Sequence, residues 1–155
     1  MNPEHLKTLH GMPLFAEFTE KELEGTVELL DKVEFPVGER IVRQDEKGDC
    51  MFVLVEGSAR VVHRRADKEV ELAVLKAGDF FGELALVDSG PRSADVEALT
   101  PCTLLRIEQG ALRAIAGVYP SAAFKLLIAV GRVLVDRMRR GNQKYLDSLL
   151  AGKQE

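Results

Sequence analysis

The sequence contains no tryptophan, two tyrosines and two cysteines among its 155 residues. Cys50 and Cys102 stand apart, without a Cys-x-x-Cys pair, so they read as small buried apolar residues rather than as a disulfide, a thiol redox centre or half of a zinc site. A basic excess is missing too: 21 Lys and Arg face 25 Asp and Glu, a formal net charge of -4. That balance gives no support to a general nucleic-acid binder, which needs cations for the phosphates, although it leaves room for a local basic patch. The longest largely apolar run, Leu126 to Val135, is ten residues interrupted by Arg132, about half the length of a membrane span. The start, Met1-Asn2-Pro3-Glu4-His5, lacks the cationic and apolar stretches of a secretory signal, so a cytoplasmic protein without membrane contact is expected. There is no internal repeat or low-complexity linker, and a single domain over residues 1–155 is expected. Catalytic signatures are absent as well: no Gly-x-Ser-x-Gly and no Cys/His nucleophile pattern occurs, which argues against an enzyme.

What is present falls into three zones. Residues 1–31 have helical character, with a capping box at Thr19-Glu20-Lys21-Glu22 and a hydrophobic staple between Phe18 and Leu23. Residues 32–107 change to short runs rich in Val, Leu, Ile and Phe, punctuated by Gly38, Gly48, Gly57 and Gly78. Many short strands at close spacing predict an antiparallel sandwich, jelly roll or barrel. Residues 108–151 return to helical spacing, first over Gln109 to Ala116 and then from Pro120-Ser121 onward, with a break expected at Gly141-Asn142. The stripe Phe124, Leu127, Ile128, Leu134 and Met138 is expected to pack into the core, and the run Arg137-Met138-Arg139-Arg140 to form a solvated face. From Lys125 to the end the charge sums to +4, so the rest of the chain carries -8.

One segment of the middle zone is unlike a plain strand or turn: Phe80-Phe81-Gly82-Glu83-Leu84-Ala85-Leu86, followed by Gly90-Pro91-Arg92-Ser93-Ala94. Gly82 permits a tight turn, and Glu83 to Leu86 suit one helical turn whose first N–H groups are free. Free N–H groups and a forked guanidinium from Arg92 together make an anion pocket. A carboxylate in such a pocket repels phosphate, so Glu83 has to face a donor such as a sugar hydroxyl. His63 is the one histidine of the strand zone, too few for a metal centre of converging imidazoles.

These residues resemble the phosphate-binding cassette of the cyclic nucleotide-binding domain, the domain shared by catabolite activator-type regulators, protein kinase A regulatory subunits and cyclic nucleotide-gated channels. Upstream, Phe35-Pro36-x-Gly38-Glu39, Gln44, Gly48-Asp49-x-Met51-Phe52-Val53 and Gly57 resemble its first strands and turns, and the likeness extends over about residues 12 to 140. It implies a mainly β fold with flanking helices: an eight-stranded antiparallel jelly-roll barrel between N-terminal and C-terminal helices. It also implies site roles. Glu83 faces the ribose 2′-hydroxyl and Arg92 the cyclic phosphate. Gly82, Leu84 and Ala85 supply backbone contacts, Ser93 a hydroxyl near the phosphate, and Val61 and Leu72 line the base pocket. Arg137 and Met138 lie where the last helix closes over the base.

The function implied is a non-catalytic cyclic nucleotide sensor without a metal or other cofactor, whose C-terminal helices rearrange on binding to signal to a protein partner. Serine after the arginine favours cyclic AMP over cyclic GMP, with cyclic GMP left open because a serine hydroxyl can reach a guanine amino group. The resemblance also brings a homodimer through the C-terminal helix into consideration. Two other readings stand beside it: an interaction scaffold that senses nothing, and the sensor part of a longer transcription regulator. About 15 residues follow Arg140, too few for a helix-turn-helix, so direct DNA binding is not expected.

Overall fold

A computed structural model describes residues 2–153. Two helices, α1 (Pro3–His10) and α2 (Glu20–Glu28), precede ten short strands: β1 (Asp31–Phe35), β2 (Arg40–Val42), β3 (Lys47–Gly48), β4 (Cys50–Glu56), β5 (Ser58–Arg65), β6 (Lys68–Lys76), β7 (Phe80–Phe81), β8 (Gly90–Pro91), β9 (Asp95–Ala98) and β10 (Cys102–Glu108). A single 3-10 turn, Glu83–Leu86, lies between β7 and β8, and α3 (Gln109–Val118) and α4 (Pro120–Lys153) end the described chain. All strand pairings are antiparallel. One sheet runs β1-β10-β4-β7, a second β2-β9-β5-β6, and β3 pairs with β8 in a two-stranded ladder. This is the mainly β roll with helices at both ends that the sequence implies, cut into ten short segments rather than eight strands.

The side-chain period of two explains how the layers assemble. Along β4, Met51, Val53 and Val55 point into a core shared with the helices, whereas Cys50, Phe52 and Leu54 point into the core between the two sheets. β10 divides in the same way, Leu105 and Ile107 toward the helices and Leu104 toward the second sheet. Strands covered on both faces read as continuous apolar runs. Each fully buried Val, Leu, Ile or Phe contributes about 1.5–3 kcal/mol of transfer free energy.

Thr19 closes a complete capping box on α2: its hydroxyl accepts from the Glu22 N–H at 3.1 Å, and the Glu22 carboxylate accepts from the Thr19 N–H at 2.9 Å. Phe18 and Leu23 are both buried in the helix-side core. Glu22 has a further partner, since Lys125 of α4 donates to it at 2.7 Å, and that bond, then the Thr19 N–H, holds the Glu22 carboxyl below its ordinary range. A carboxyl depressed in the folded state adds stability above its unfolded pKa, and that stability is lost as pH falls through the folded value. Glu22→Gln is therefore expected to cost about 1 kcal/mol at pH 7 and to flatten the loss of stability below about pH 5. Thermal melts from pH 7 to pH 3 check this; identical acid slopes for the two proteins would remove the assignment.

Two helix expectations are corrected. α4 runs unbroken through Gly141 and Asn142. An internal glycine costs only about 1 kcal/mol and there is no proline after Pro120 to stop the helix. Its phase also differs from the predicted stripe. Ala122, Ala123, Leu126 and Val130 are buried, whereas Phe124, Leu127, Ile128 and Met138 are exposed and Leu134 is half-buried. Close approach to the core selects the face with small residues, and the bulkier side chains are left outside. Arg139 and Arg140 are solvated as expected, with Arg140 paired to Asp136 at 3.1 Å. Cys50 and Cys102 are buried free thiols. Among the described residues, no helix is long and apolar enough to cross a membrane and no cluster of three metal-ligating side chains occurs.

Candidate functional site

The inner face of the second sheet, β7, the 3-10 turn and the segment from Gly90 to Ala94 enclose a cavity of about 690 Å³, within the range of small-molecule sites. Val42, Val61, Leu72, Leu75 and Val96 form an apolar wall, and Phe80 to Ala85 with Arg92 and Ser93 form the polar end. Every predicted site residue lines this cavity except Met138. That residue sits on the outer face of α4, 67% exposed. Phe80, Phe81 and Ala73 are lining residues that sequence reasoning did not assign. The Phe-Phe pair before Gly82 was the available signal, because two aromatics leading into a ligand turn cannot both face the sheet core. Phe81 is buried and stacks on Phe52 at 5.3 Å between centroids.

The turn begins at Gly82, whose φ of +76° is a left-handed conformation that favours glycine. Four residues of 3-10 helix follow, and the first N–H groups of such a turn lack internal partners. Leu86 is buried in the helix-side core, and Gln109 of α3 donates to the Ala85 carbonyl at 3.3 Å. The turn therefore touches the cavity on one side and the C-terminal helices on the other.

Glu83 is 3% exposed, a burial that an unpaired carboxylate does not tolerate. Its partner is Arg137 of α4, whose guanidinium pairs with the Glu83 carboxylate and lies 5.9 Å from the Phe80 ring centroid. Arg137 thus stands beside the residue assigned to the ribose while its side chain stays 54% exposed, in keeping with the solvated face predicted for the Arg137–Arg140 run.

Arg92 is built in from several directions. The β3–β8 ladder, Lys47 opposite Pro91 and Gly48 opposite Gly90, delivers it to the cavity. Its N–H donates to the Glu46 carbonyl and its carbonyl accepts from the Asp45 N–H, both at 2.8 Å. The side chain threads between Gly48 and Gly82, where a Cβ on either glycine would collide with it, and Nη2 donates to the Cys50 carbonyl at 2.6 Å. Burial raises the pKa of the neighbouring Cys50 thiol although Arg92's charge opposes this, so the thiol stays protonated near neutral pH. Beyond Arg92, the Ser93 carbonyl bonds with His63 Nδ1 at 3.0 Å, which makes that nitrogen the protonated one.

The segment then enters β9 through buried Asp95, which pairs with Arg64 and accepts from the Gln44 N–H at 2.6 Å. Two residues further along β9, Glu97 accepts from Arg60 at 2.8 Å and from Arg64 at 2.7 Å. Burial alone pushes the Glu97 carboxyl up, but the hydrogen bonds from Arg64 and Arg60 outweigh it and hold the pKa below the ordinary range.

The profile of the cyclic nucleotide-binding domain family matches residues 32–118. The CRP-like cAMP-activated global transcriptional regulator of Mycobacterium tuberculosis is 31% identical over 119 residues, 76% of this chain and 51% of that protein. The cAMP-dependent protein kinase regulatory subunit of Emericella nidulans is 31% identical over 109 residues, 70% of this chain and 26% of that protein. The chain thus spans about half the length of the first relative and a quarter of the second. Among solved structures, the N-terminal domain of a transcriptional regulator from Streptomyces coelicolor A3(2) superposes with a TM-score of 0.76 at 32% identity, covering 88% of this chain and 93% of that one.

Proposed function

The chain belongs to the cyclic nucleotide-binding domain family, and from that premise we propose that it is a non-catalytic sensor that takes a cyclic nucleotide, cyclic AMP in preference to cyclic GMP, into the 690 Å³ cavity. The observation that carries this is the joining of buried Glu83 and glycine-flanked Arg92 at one end of an otherwise apolar pocket. In this reading Arg92, the free N–H groups after Gly82 and Ser93 hold the cyclic phosphate, Glu83 accepts from the ribose 2′-hydroxyl, and Val61 and Leu72 cover the base. Nothing in the reading calls for a metal, a second cofactor, a membrane or DNA, and the whole chain acts as one domain in the cytoplasm.

Signal output runs through α4. A ribose hydroxyl arriving at Glu83 has to share that carboxylate with Arg137, so occupancy and helix position are linked, and a ligand with different affinity for the two arrangements shifts their populations. What α4 offers a partner is its exposed apolar face. Phe124, Ile128, Val135, Met138, Tyr145 and Leu149 are exposed, and with Gly131 and Asn142 they follow alternating steps of four and three residues, the spacing of a two-helix seam. A second copy of the chain fits that seam, with another protein as the competing occupant.

Calorimetric and thermal titration with both cyclic nucleotides, alongside sedimentation velocity, tests the reading. Ligand at 100 times its dissociation constant is expected to stabilise the protein by about 2.7 kcal/mol, roughly 5–10 °C in Tm. No shift with either nucleotide leaves the scaffold reading in its place, a larger shift with cyclic GMP reverses the base preference, and a monomer at every concentration removes the second copy.

A further inference from the structure

We propose that Gln44 is a positioning residue for Arg92, acting through the turn that holds the Arg92 backbone; this rests on the assignment of Arg92 to the phosphate.

Residues Arg43 to Glu46 form a tight turn, with the Glu46 N–H donating to the Arg43 carbonyl at 3.3 Å. Its third residue, Asp45, is a non-glycine at φ +69°, a conformation that persists when surrounding contacts impose it. Those contacts converge on Gln44. The side-chain amide behaves like an extra residue of a β-ladder: Nε2 donates to the Arg64 carbonyl at 2.7 Å and Oε1 accepts from the Arg64 N–H at 2.8 Å. Its backbone N–H is bonded to buried Asp95 at 2.6 Å. The turn is thus fixed to β5 on one side and to the first residue of β9 on the other.

The fixed turn in turn holds Arg92. Asp45 gives it an N–H donor and Glu46 a carbonyl acceptor, so both backbone polar groups of Arg92 are committed to the residues following Gln44. A long side chain amplifies any backbone tilt at its tip, and a bidentate phosphate contact tolerates little displacement. Gln44 does not line the cavity, so its influence on a ligand has to pass through residues that do. Alanine at this position removes both ladder-like bonds and leaves the Arg64 N–H and carbonyl without those partners. Glutamate keeps the acceptor for the Arg64 N–H and loses the donor to its carbonyl.

A double-mutant cycle separates positioning from general damage. Cyclic AMP affinity is measured by calorimetry for the wild type, Gln44→Ala, Arg92→Ala and the double variant, with Gln44→Glu as the milder change should Gln44→Ala fail to fold. Gln44→Ala is expected to bind about tenfold more weakly, and Gln44→Glu to fall between it and the wild type. In the Arg92→Ala background either change at Gln44 is expected to have no further effect, because the group it positions is gone. Additive losses, or no loss in the single Gln44 variants, overturn the positioning role. Unchanged affinity in Arg92→Ala overturns the phosphate assignment itself, which keeps the two failures distinct.

Discussion

Arg92→Ala is expected to weaken cyclic AMP binding by about 100-fold or more while leaving a folded protein, because truncating one partner of a desolvated, hydrogen-bonded charge pair costs roughly 2–5 kcal/mol. The side chain's main structural bond runs from Nη2 to the Cys50 carbonyl at 2.6 Å, beside a weaker one from the same nitrogen to Cys50 Sγ at 3.7 Å. Losing it is worth about 1 kcal/mol, so the ligand-free Tm is expected to move by only a few degrees. The backbone bonds to Asp45 and Glu46 do not depend on the side chain and remain. Arg92→Lys retains a charge but not the planar fork, and is expected to lie between alanine and wild type. Titration of the three proteins, each first checked by thermal melt, decides it. Equal affinities across the series would show that the anion site lies elsewhere in the cavity.

The parts of this site visible in the sequence are those encoded locally. A glycine, one helical turn's worth of good formers and an arginine after a Gly-Pro corner fall within a short run, so their chemistry can be read before any fold is known. The switch from helical spacing to short strands and back is similarly local, which is why the layer order is recoverable. The less legible features depend on pairs far apart in the chain. The Glu83–Arg137 pair depends on where α4 crosses the 3-10 turn, and residue spacing carries no such information. The phase of α4 is misjudged for a related reason. Hydrophobicity ranks Phe124 and Met138 above Ala122 and Ala123, whereas close packing at the start of the helix ranks them the other way. Gln44 is another case: the resemblance includes it among the first strands and turns, but its part in the site is hidden until Arg64 and Asp95 are seen on either side of it.

Gly48 carries the second large effect, and it separates the shape of the site from its charge. In the sequence this residue marks a turn, yet its φ is not among the positive ones, so alanine fits its backbone without strain. The obstacle is space: a Cβ there would overlap Nε and Cζ of the Arg92 guanidinium and approach Cδ to 2.8 Å, striking the head group and the stem that carries it. Gly48→Ala is therefore expected to displace Arg92 and to lose about 30- to 100-fold in cyclic AMP affinity, approaching Arg92→Ala. Gly82→Ala mixes two effects by comparison, since its φ of +76° adds backbone strain and its Cβ would also press on the Cys50 carbonyl at 3.2 Å. At Gly48 the backbone contribution has the opposite sign, because alanine at a compatible conformation stabilises by about 0.4–1 kcal/mol through the unfolded chain. The Arg92→Ala background isolates that contribution. With the guanidinium absent, the new methyl occupies vacated space, and Gly48→Ala is expected to raise Tm while leaving the weak residual affinity unchanged. A Gly48→Ala protein that binds like wild type would mean that Arg92 reaches the phosphate by a path that does not pass between the two glycines.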